Sequence, residues 1–100
     1  MSNNTFTTVS PGTVVDCRQA DELELQVTGL SGGDTITVGR SLDKIHYVDA
    51  ELLTSTLDPA DNPVVADGIF VLLNGACHLD FTQSGSASTP KITVRITTDG

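Results

Sequence analysis

The dipeptide Asn74-Gly75 lies between two strand-like runs and is the feature that most constrains the fold. A two-residue type I′ turn needs positive φ at both central positions, which Asn and Gly tolerate best. Such a turn predicts a β-hairpin over residues 68–82 with one defined register. The predicted cross-strand partners are Leu73 with Ala76, Leu72 with Cys77, Val71 with His78, Phe70 with Leu79, and Ile69 with Asp80.

This register divides the hairpin into two faces, because successive strand residues point in opposite directions. One face is apolar throughout, and we predict that it is core; it comprises Phe70, Leu72, Cys77, Leu79 and Phe81. The other face carries Ile69, Val71 and Leu73 beside His78 and Asp80. Water is expected to contact this second face, yet about half of its side chains are apolar. Contiguous apolar surface usually marks an interaction site. We therefore predict that a partner covers the second face.

Alternation of apolar and polar residues predicts further strands along the chain. The clearest runs are 22–28 and 91–97, and shorter ones lie at 13–16, 35–38 and 45–48. Thr accounts for 14 of the 100 residues and favours pleated, half-buried surfaces over helix. Together these patterns predict an all-β protein, an antiparallel β-sandwich of jelly-roll or Ig-like type with about seven or eight short strands.

Two segments lie outside this regular pattern. Residues 1–9 are mostly polar and are predicted to form an extended N-terminal arm, with residues 10–100 as a single β-sandwich domain. Residues 49–57 leave two alternatives open. Asp49 can cap one helical turn, or the preceding strand can continue and then become a loop.

The charge balance limits the partners. The formal net charge is −8, with 5 basic and 13 acidic residues, so we expect neither a nucleic acid nor an anionic membrane as a partner. We find no signal peptide and no stretch of transmembrane length, and we expect synthesis in the cytoplasm of the host. There we expect Cys17 and Cys77 to be free thiols, with a disulfide between them as the alternative.

No motif indicates catalysis. Cys77 and His78 are adjacent on a predicted strand and point to opposite faces, so they are not a nucleophile and its base. His78 and Asp80 share a face, but two candidate ligands do not make a metal site. We therefore predict no catalytic residues, no metal and no cofactor, and we expect that the protein is not an enzyme.

The segment Gly39-Arg-Ser-Leu-Asp-Lys-Ile-His-Tyr47 resembles a hairpin of carbohydrate-binding and discoidin-like sandwiches, with the pattern Ser-x-Asp-Gly-x-x-Trp/Tyr. Lys44 stands where those proteins usually have Gly. The resemblance implies a carbohydrate-binding or adhesion module that uses the loop from Ser41 to Tyr47. This is our alternative interpretation of the function.

The polar arm, the Thr-rich body, the acidic surface and the ending Ser-Gly-Ser-Ala-Ser-Thr-Pro-Lys-Ile-Thr-Val-Arg-Ile at 84–96 resemble small virion proteins of tailed phages, of the capsid decoration (cement) type. That resemblance implies a non-enzymatic structural protein located in the virion. It also implies a homo-oligomer, with a trimer favoured, that binds the major capsid protein or another virion protein. We predict that the interface comprises Phe6, Ile69, Val71, Leu73 and His78.

Overall fold

The computed structural model describes residues 2–72 and 77–99, which form strands and connecting loops without a helix. The strands are β1 (Ser2–Val9), β2 (Val14–Cys17), β3 (Glu22–Thr28), β4 (Thr35–Ser41), β5 (Val48–Asp49), β6 (Gly68–Leu72), β7 (Cys77–Ser84) and β8 (Lys91–Asp99). They make two antiparallel sheets of four strands. The first sheet has the order β1-β8-β3-β6, and the second has the order β2-β7-β4-β5.

The strand order identifies the sandwich as a jelly roll. β1 pairs with β8, β2 with β7, β3 with β6 and β4 with β5. These four pairings describe one long antiparallel ribbon, folded at its middle and rolled so that alternate pairs fall in opposite sheets. The predicted antiparallel β-sandwich is therefore confirmed, and of the two types left open the topology is that of the jelly roll.

The core lies between the inner faces of the two sheets. Leu23, Leu25 and Val27 of β3 are buried, and the outward residues between them are exposed or half-buried, as the alternation predicted. Phe81 and Leu79 of β7 close the core from the opposite sheet. Each such side chain contributes on the order of 2 kcal/mol of hydrophobic free energy when fully buried.

The predicted hairpin pairing is wrong. β6 pairs with β3 in the first sheet, and β7 lies between β2 and β4 in the second, so the two strands are not sheet neighbours. Asn74-Gly75 itself lies outside the described residues. The predicted core residues are nevertheless buried or packed against the core. Those on β6 and those on β7 reach the core from opposite sheets. The pairing of β6 with β3 and of β7 with β4 therefore outweighs the preference of Asn74-Gly75 for a local hairpin.

The chain between β4 and β6, residues 42–67, also differs from the prediction, which placed a regular strand at 45–48. The expected strand at 45–48 is reduced to Val48–Asp49, and residues 42–46 form bends. No helical turn forms in residues 49–57, so the alternative of a strand followed by a loop is the correct one.

Residues 50–67 close one side of the sandwich by bonding to both sheets. The Val64 and Ile36 backbones exchange hydrogen bonds on the second sheet, at 2.7 and 3.0 Å. Leu53 and Val71 do the same on the first sheet, at 2.8 and 3.0 Å. The Asn62 side chain accepts from the Val38 N–H and donates to the Val38 carbonyl, as a strand backbone would. The segment therefore protects edges that could otherwise pair with another chain.

Asp34 joins two loops at one end of the sandwich. Its buried carboxylate accepts hydrogen bonds from the Ser88 N–H, the Ser88 hydroxyl and the Gln83 side-chain amide, at 2.7, 2.7 and 3.0 Å. Gly85, with φ +97°, lies against the same carboxylate and leaves no room for a Cβ atom. These hydrogen bonds, the Ser88 hydroxyl first, hold the pKa of Asp34 below its usual range.

We predict that Asp34→Asn lowers the melting temperature at neutral pH, because an amide cannot accept the same set of hydrogen bonds. A depressed carboxyl pKa stabilises the fold above the unfolded-state pKa, and this stabilisation is lost as the pH falls through the folded-state pKa. The gap in melting temperature between wild type and variant should therefore narrow between about pH 7 and about pH 2.5, as followed by calorimetry. Asp61→Asn, in an exposed loop, is the matched control. A gap that stays constant with pH would contradict this role of Asp34.

Candidate functional site

Phe6 and Ile69 lie at opposite sides of a shallow groove on the outer face of the first sheet, in neighbouring outward rows of the sheet register. Phe6 lies on β1 and is 65% exposed, and Ile69 lies on β6 and is 49% exposed. β8 and β3 separate β1 from β6, so these two strands are three strand spacings, about 14 Å, apart. The groove has a volume of about 270 Å³. We call this surface the Phe6 groove.

The floor of the Phe6 groove is polar. In the sheet register Phe6 is next to Arg95, and Arg95 is next to Glu24. The Arg95 guanidinium and the Glu24 carboxylate form an ion pair. The Nε atom of Arg95 is buried and has no hydrogen-bond partner among the described residues. The groove therefore offers two apolar walls and a central charged pair, an arrangement suited to a protein surface with matching polarity.

The structure places the other predicted interface residues differently. Val71 shares the outer face of the first sheet with Phe6 and Ile69, where it is half-buried, and its backbone is bonded to Leu53. Leu73 lies outside the described residues. His78 belongs to β7, so it lies on the outer face of the other sheet, on the opposite side of the sandwich. The predicted grouping of His78 with Ile69 and Val71 followed from the hairpin register and does not occur.

His78 lines a polar cleft of about 370 Å³ on the second sheet. Its side chain is almost fully buried, and its Nδ1 atom has no hydrogen-bond partner among the described residues. The other lining residues are Val14, Asp16, Arg18, Leu42, Asp43 and Lys44. Arg18 donates two hydrogen bonds to the Asp16 carboxylate, at 2.8 and 3.0 Å, and these hold the pKa of Asp16 well below its usual range.

One wall of this cleft is the loop that follows β4, which Asp43 organises. The Asp43 carboxylate accepts hydrogen bonds from the Ser41 hydroxyl and from the Ile45 and His46 N–H groups, all at 2.8 to 2.9 Å. Its second oxygen lies 2.8 Å from the His46 ring. Chiefly through the His46 ring, these contacts hold the pKa of Asp43 well below its usual range. The carboxylate thus fixes a loop that is otherwise exposed.

The loop presents apolar side chains to solvent. Leu42 and Ile45 are 78% and 75% exposed, and Val48 beside them is also exposed. Sequence reasoning missed this second surface because it assigned residues 45–48 to a regular strand. The available signal was Asp43, since an acid three residues before His46 in an interrupted strand is typical of a side-chain-capped turn.

Tyr47 is the aromatic residue of this loop. Its hydroxyl is buried and has no hydrogen-bond partner among the described residues. Burial, with further contributions from Asp80 and Asp43, raises the pKa of the Tyr47 hydroxyl. Asp80 lies against Gly39, where any Cβ atom would clash with the carboxylate. Position 39 therefore requires glycine because the Asp80 side chain occupies the space that a Cβ atom would need.

Two kinds of feature are absent from residues 2–72 and 77–99. No group of three or more His, Cys, Asp or Glu side chains there is arranged to hold a metal ion. Nor do those residues include a helix long and apolar enough to span a membrane.

Comparison with known proteins finds no family model, no curated protein and no solved structure that matches this chain. The candidate surfaces therefore rest on the geometry of this chain alone.

We predict that Lys44→Gly stabilises the protein. Lys44 has φ +66°, a left-handed conformation that costs a residue with a Cβ atom about 1 kcal/mol and glycine almost nothing. Since glycine also increases the entropy of the unfolded chain, we expect a net rise in melting temperature of a few degrees at most. Lys44→Ala is the matched control, because it removes the same side chain and keeps the Cβ. A stabilisation by Lys44→Ala equal to that by Lys44→Gly would show that charge, and not backbone conformation, is responsible.

Proposed function

We propose that this protein is a non-enzymatic structural component of a virion, of the capsid decoration type, which acts by binding alone. The observation that carries the proposal is the Phe6 groove. Two large, exposed apolar side chains lie on the two outer strands of one sheet, and the two strands between them carry a charged pair. Sites built on sheets hold their geometry well, and exposed apolar walls of this kind favour association with another protein surface.

The position of the N-terminal segment supports the same proposal. Residues Ser2–Val9, predicted as an arm, are extended and pair with the chain's own β8 at the edge of the first sheet. Their outer edge is available for strand addition by a neighbouring subunit. Phe6 lies on this same strand, so pairing along β1 and docking into the groove would involve one continuous surface.

The fold and the charge are consistent with this role. Jelly rolls recur in viral capsid proteins, although they also recur in lectins and other binding domains, so the fold supports the proposal only by analogy. A net charge of −8 keeps copies soluble and favours docking onto a surface of opposite charge. The proposed partners are copies of this chain, as a trimer, and a major capsid or other virion protein.

A carbohydrate-binding or adhesion module is the second candidate, and the His78 cleft is the observation that favours it. The cleft combines the exposed Lys44 with a buried, unpartnered imidazole nitrogen, next to the loop that resembles sugar-binding sandwiches. Tyr47 weighs against it, because its hydroxyl is buried and it is only partly exposed for stacking on a sugar.

We predict that the wild-type protein self-associates in solution and that Ile69→Asp weakens this association about tenfold or more. A carboxylate in place of an apolar wall has to be desolvated in the interface. Sedimentation velocity over a range of concentrations measures the effect, and circular dichroism checks that the strands remain. Phe6→Asp on the opposite wall should act in the same way.

Val65→Asp is the matched control, since Val65 is 64% exposed and lies in a loop outside the groove. Association that is lost equally in Val65→Asp would indicate a general charge effect. A wild type that stays monomeric at every concentration would remove the groove as a self-association surface. The virion assignment is tested separately by the genes that flank this one, which should encode capsid or tail proteins.

The two candidate functions separate in a binding experiment. We expect no saturable binding of the wild-type protein to a panel of mono- and oligosaccharides by titration calorimetry. Saturable binding that Lys44→Ala and His78→Ala both abolish, and Ile69→Asp leaves intact, would replace the structural proposal with the carbohydrate-binding one.

A further inference from the structure

Cys17 and Cys77 are direct partners in the antiparallel register of β2 and β7. Cys17 is the last residue of β2, an edge strand, and Cys77 is the first residue of β7. Both side chains lie on the inner face of the second sheet and are almost completely buried, and both are free thiols. The sequence alone could not place them together, because the strands that carry them are far apart in the chain and strand pairing is decided by the tertiary structure.

We propose that Cys17 and Cys77 are a disulfide site, closed by exchange with a low-molecular-weight disulfide of the glutathione class. Directly opposed residues of an antiparallel pair have Cα atoms about 4.5 to 5.5 Å apart. Disulfides span Cα separations of about 4.4 to 6.8 Å. The link therefore needs rotation of two side chains and little movement of the backbone.

The chemistry proceeds in two exchanges. The thiolate of one cysteine attacks a sulfur of the small disulfide, forming a protein–small-molecule mixed disulfide and releasing one small thiolate. The thiolate of the second cysteine then attacks the protein-bound sulfur of that mixed disulfide, which forms the Cys17–Cys77 bond and releases the second small thiolate. Two protein thiols are oxidised, one small disulfide is reduced, and the two protons end on the two small thiols.

Burial controls how fast this happens. It raises the pKa of Cys17 to about 12, with a further contribution from the nearby Cys77, and it raises the pKa of Cys77 as well. Since the thiolate is the reacting form, the closed fold reacts slowly. β2 has only four residues and lies at the sheet edge, so its local opening exposes Cys17 at a lower free energy than global unfolding. The same burial then shields the finished bond from reductants.

The bond would secure the edge of the second sheet. It joins β2 covalently to β7 and closes the chain from residue 17 to residue 77, a long loop whose freedom in the unfolded state is thereby reduced. It also holds in place the strand that carries Asp16, whose ion pair with Arg18 lines the His78 cleft. The oxidised protein should therefore melt higher than the reduced protein, by about 10 °C.

The test incubates the purified chain with glutathione disulfide, with and without a concentration of urea that opens edges but does not unfold the protein. Intact mass after alkylation should show the loss of two hydrogens, and peptide mapping should show a link between Cys17 and Cys77. Calorimetry should show the higher melting temperature, and dithiothreitol added together with the same concentration of urea should reverse it. The Cys17–Cys77 disulfide should form faster with urea than without it.

Cys17→Ser and Cys77→Ser are the matched controls, and each should keep the melting temperature of the reduced protein after the same treatment. If serine prevents folding at either buried position, Cys17→Ala and Cys77→Ala serve as the controls instead. The comparison of oxidised with reduced wild-type protein does not depend on any variant. Only mixed disulfides, only intermolecular dimers, or a link that forms solely in fully unfolded protein would each overturn the proposal.

Discussion

The mutual burial of the two inner sheet faces is the constraint on which the rest of this structure depends. Leu23 and Leu25 from the first sheet meet Leu79 and Phe81 from the second, and all four are almost inaccessible to water. Because side chains alternate along a strand, each inward row determines an outward row. The outer surfaces that carry Phe6 on one side and His78 on the other are therefore consequences of how the core is filled.

Polar side chains stabilise the loops and the strand edge that the hydrophobic core does not reach. Asn62 hydrogen-bonds the backbone of Val38 at an edge that the two-residue strand β5 leaves incomplete. Asp34 ties the loop before β8 to the turn before β4, and Asp67 accepts the N–H groups of Gly29 and Leu30. A small sandwich with short strands has many loops relative to its core, so side-chain acceptors that hold loops contribute to a single well-defined native state.

The two candidate surfaces lie on opposite sides of the sandwich. The Phe6 groove belongs to the outer face of the first sheet, and the loop around Leu42 and Ile45 projects from the second. In the proposed decoration role this arrangement has a use, since a subunit that attaches to a shell and also to its own copies needs two separate surfaces. The Asp43 carboxylate gives the loop a fixed shape before any partner arrives, which reduces the entropy lost on binding.

The sequence by itself determined the strands with clear alternation and the side of each of them that is buried. The runs at 22–28 and 91–97 appear in the structure with the predicted inward residues, because a period of two is a local property that any β-sheet must satisfy. The tertiary structure alone decided which strands are neighbours. Asn74-Gly75 favours a local hairpin, yet β6 and β7 take different partners, since their apolar residues are buried equally well from opposite sheets. For the same reason only the tertiary structure could separate His78 from Ile69 and bring Cys17 opposite Cys77: strand pairing is a long-range choice, made by the total burial of both sheets.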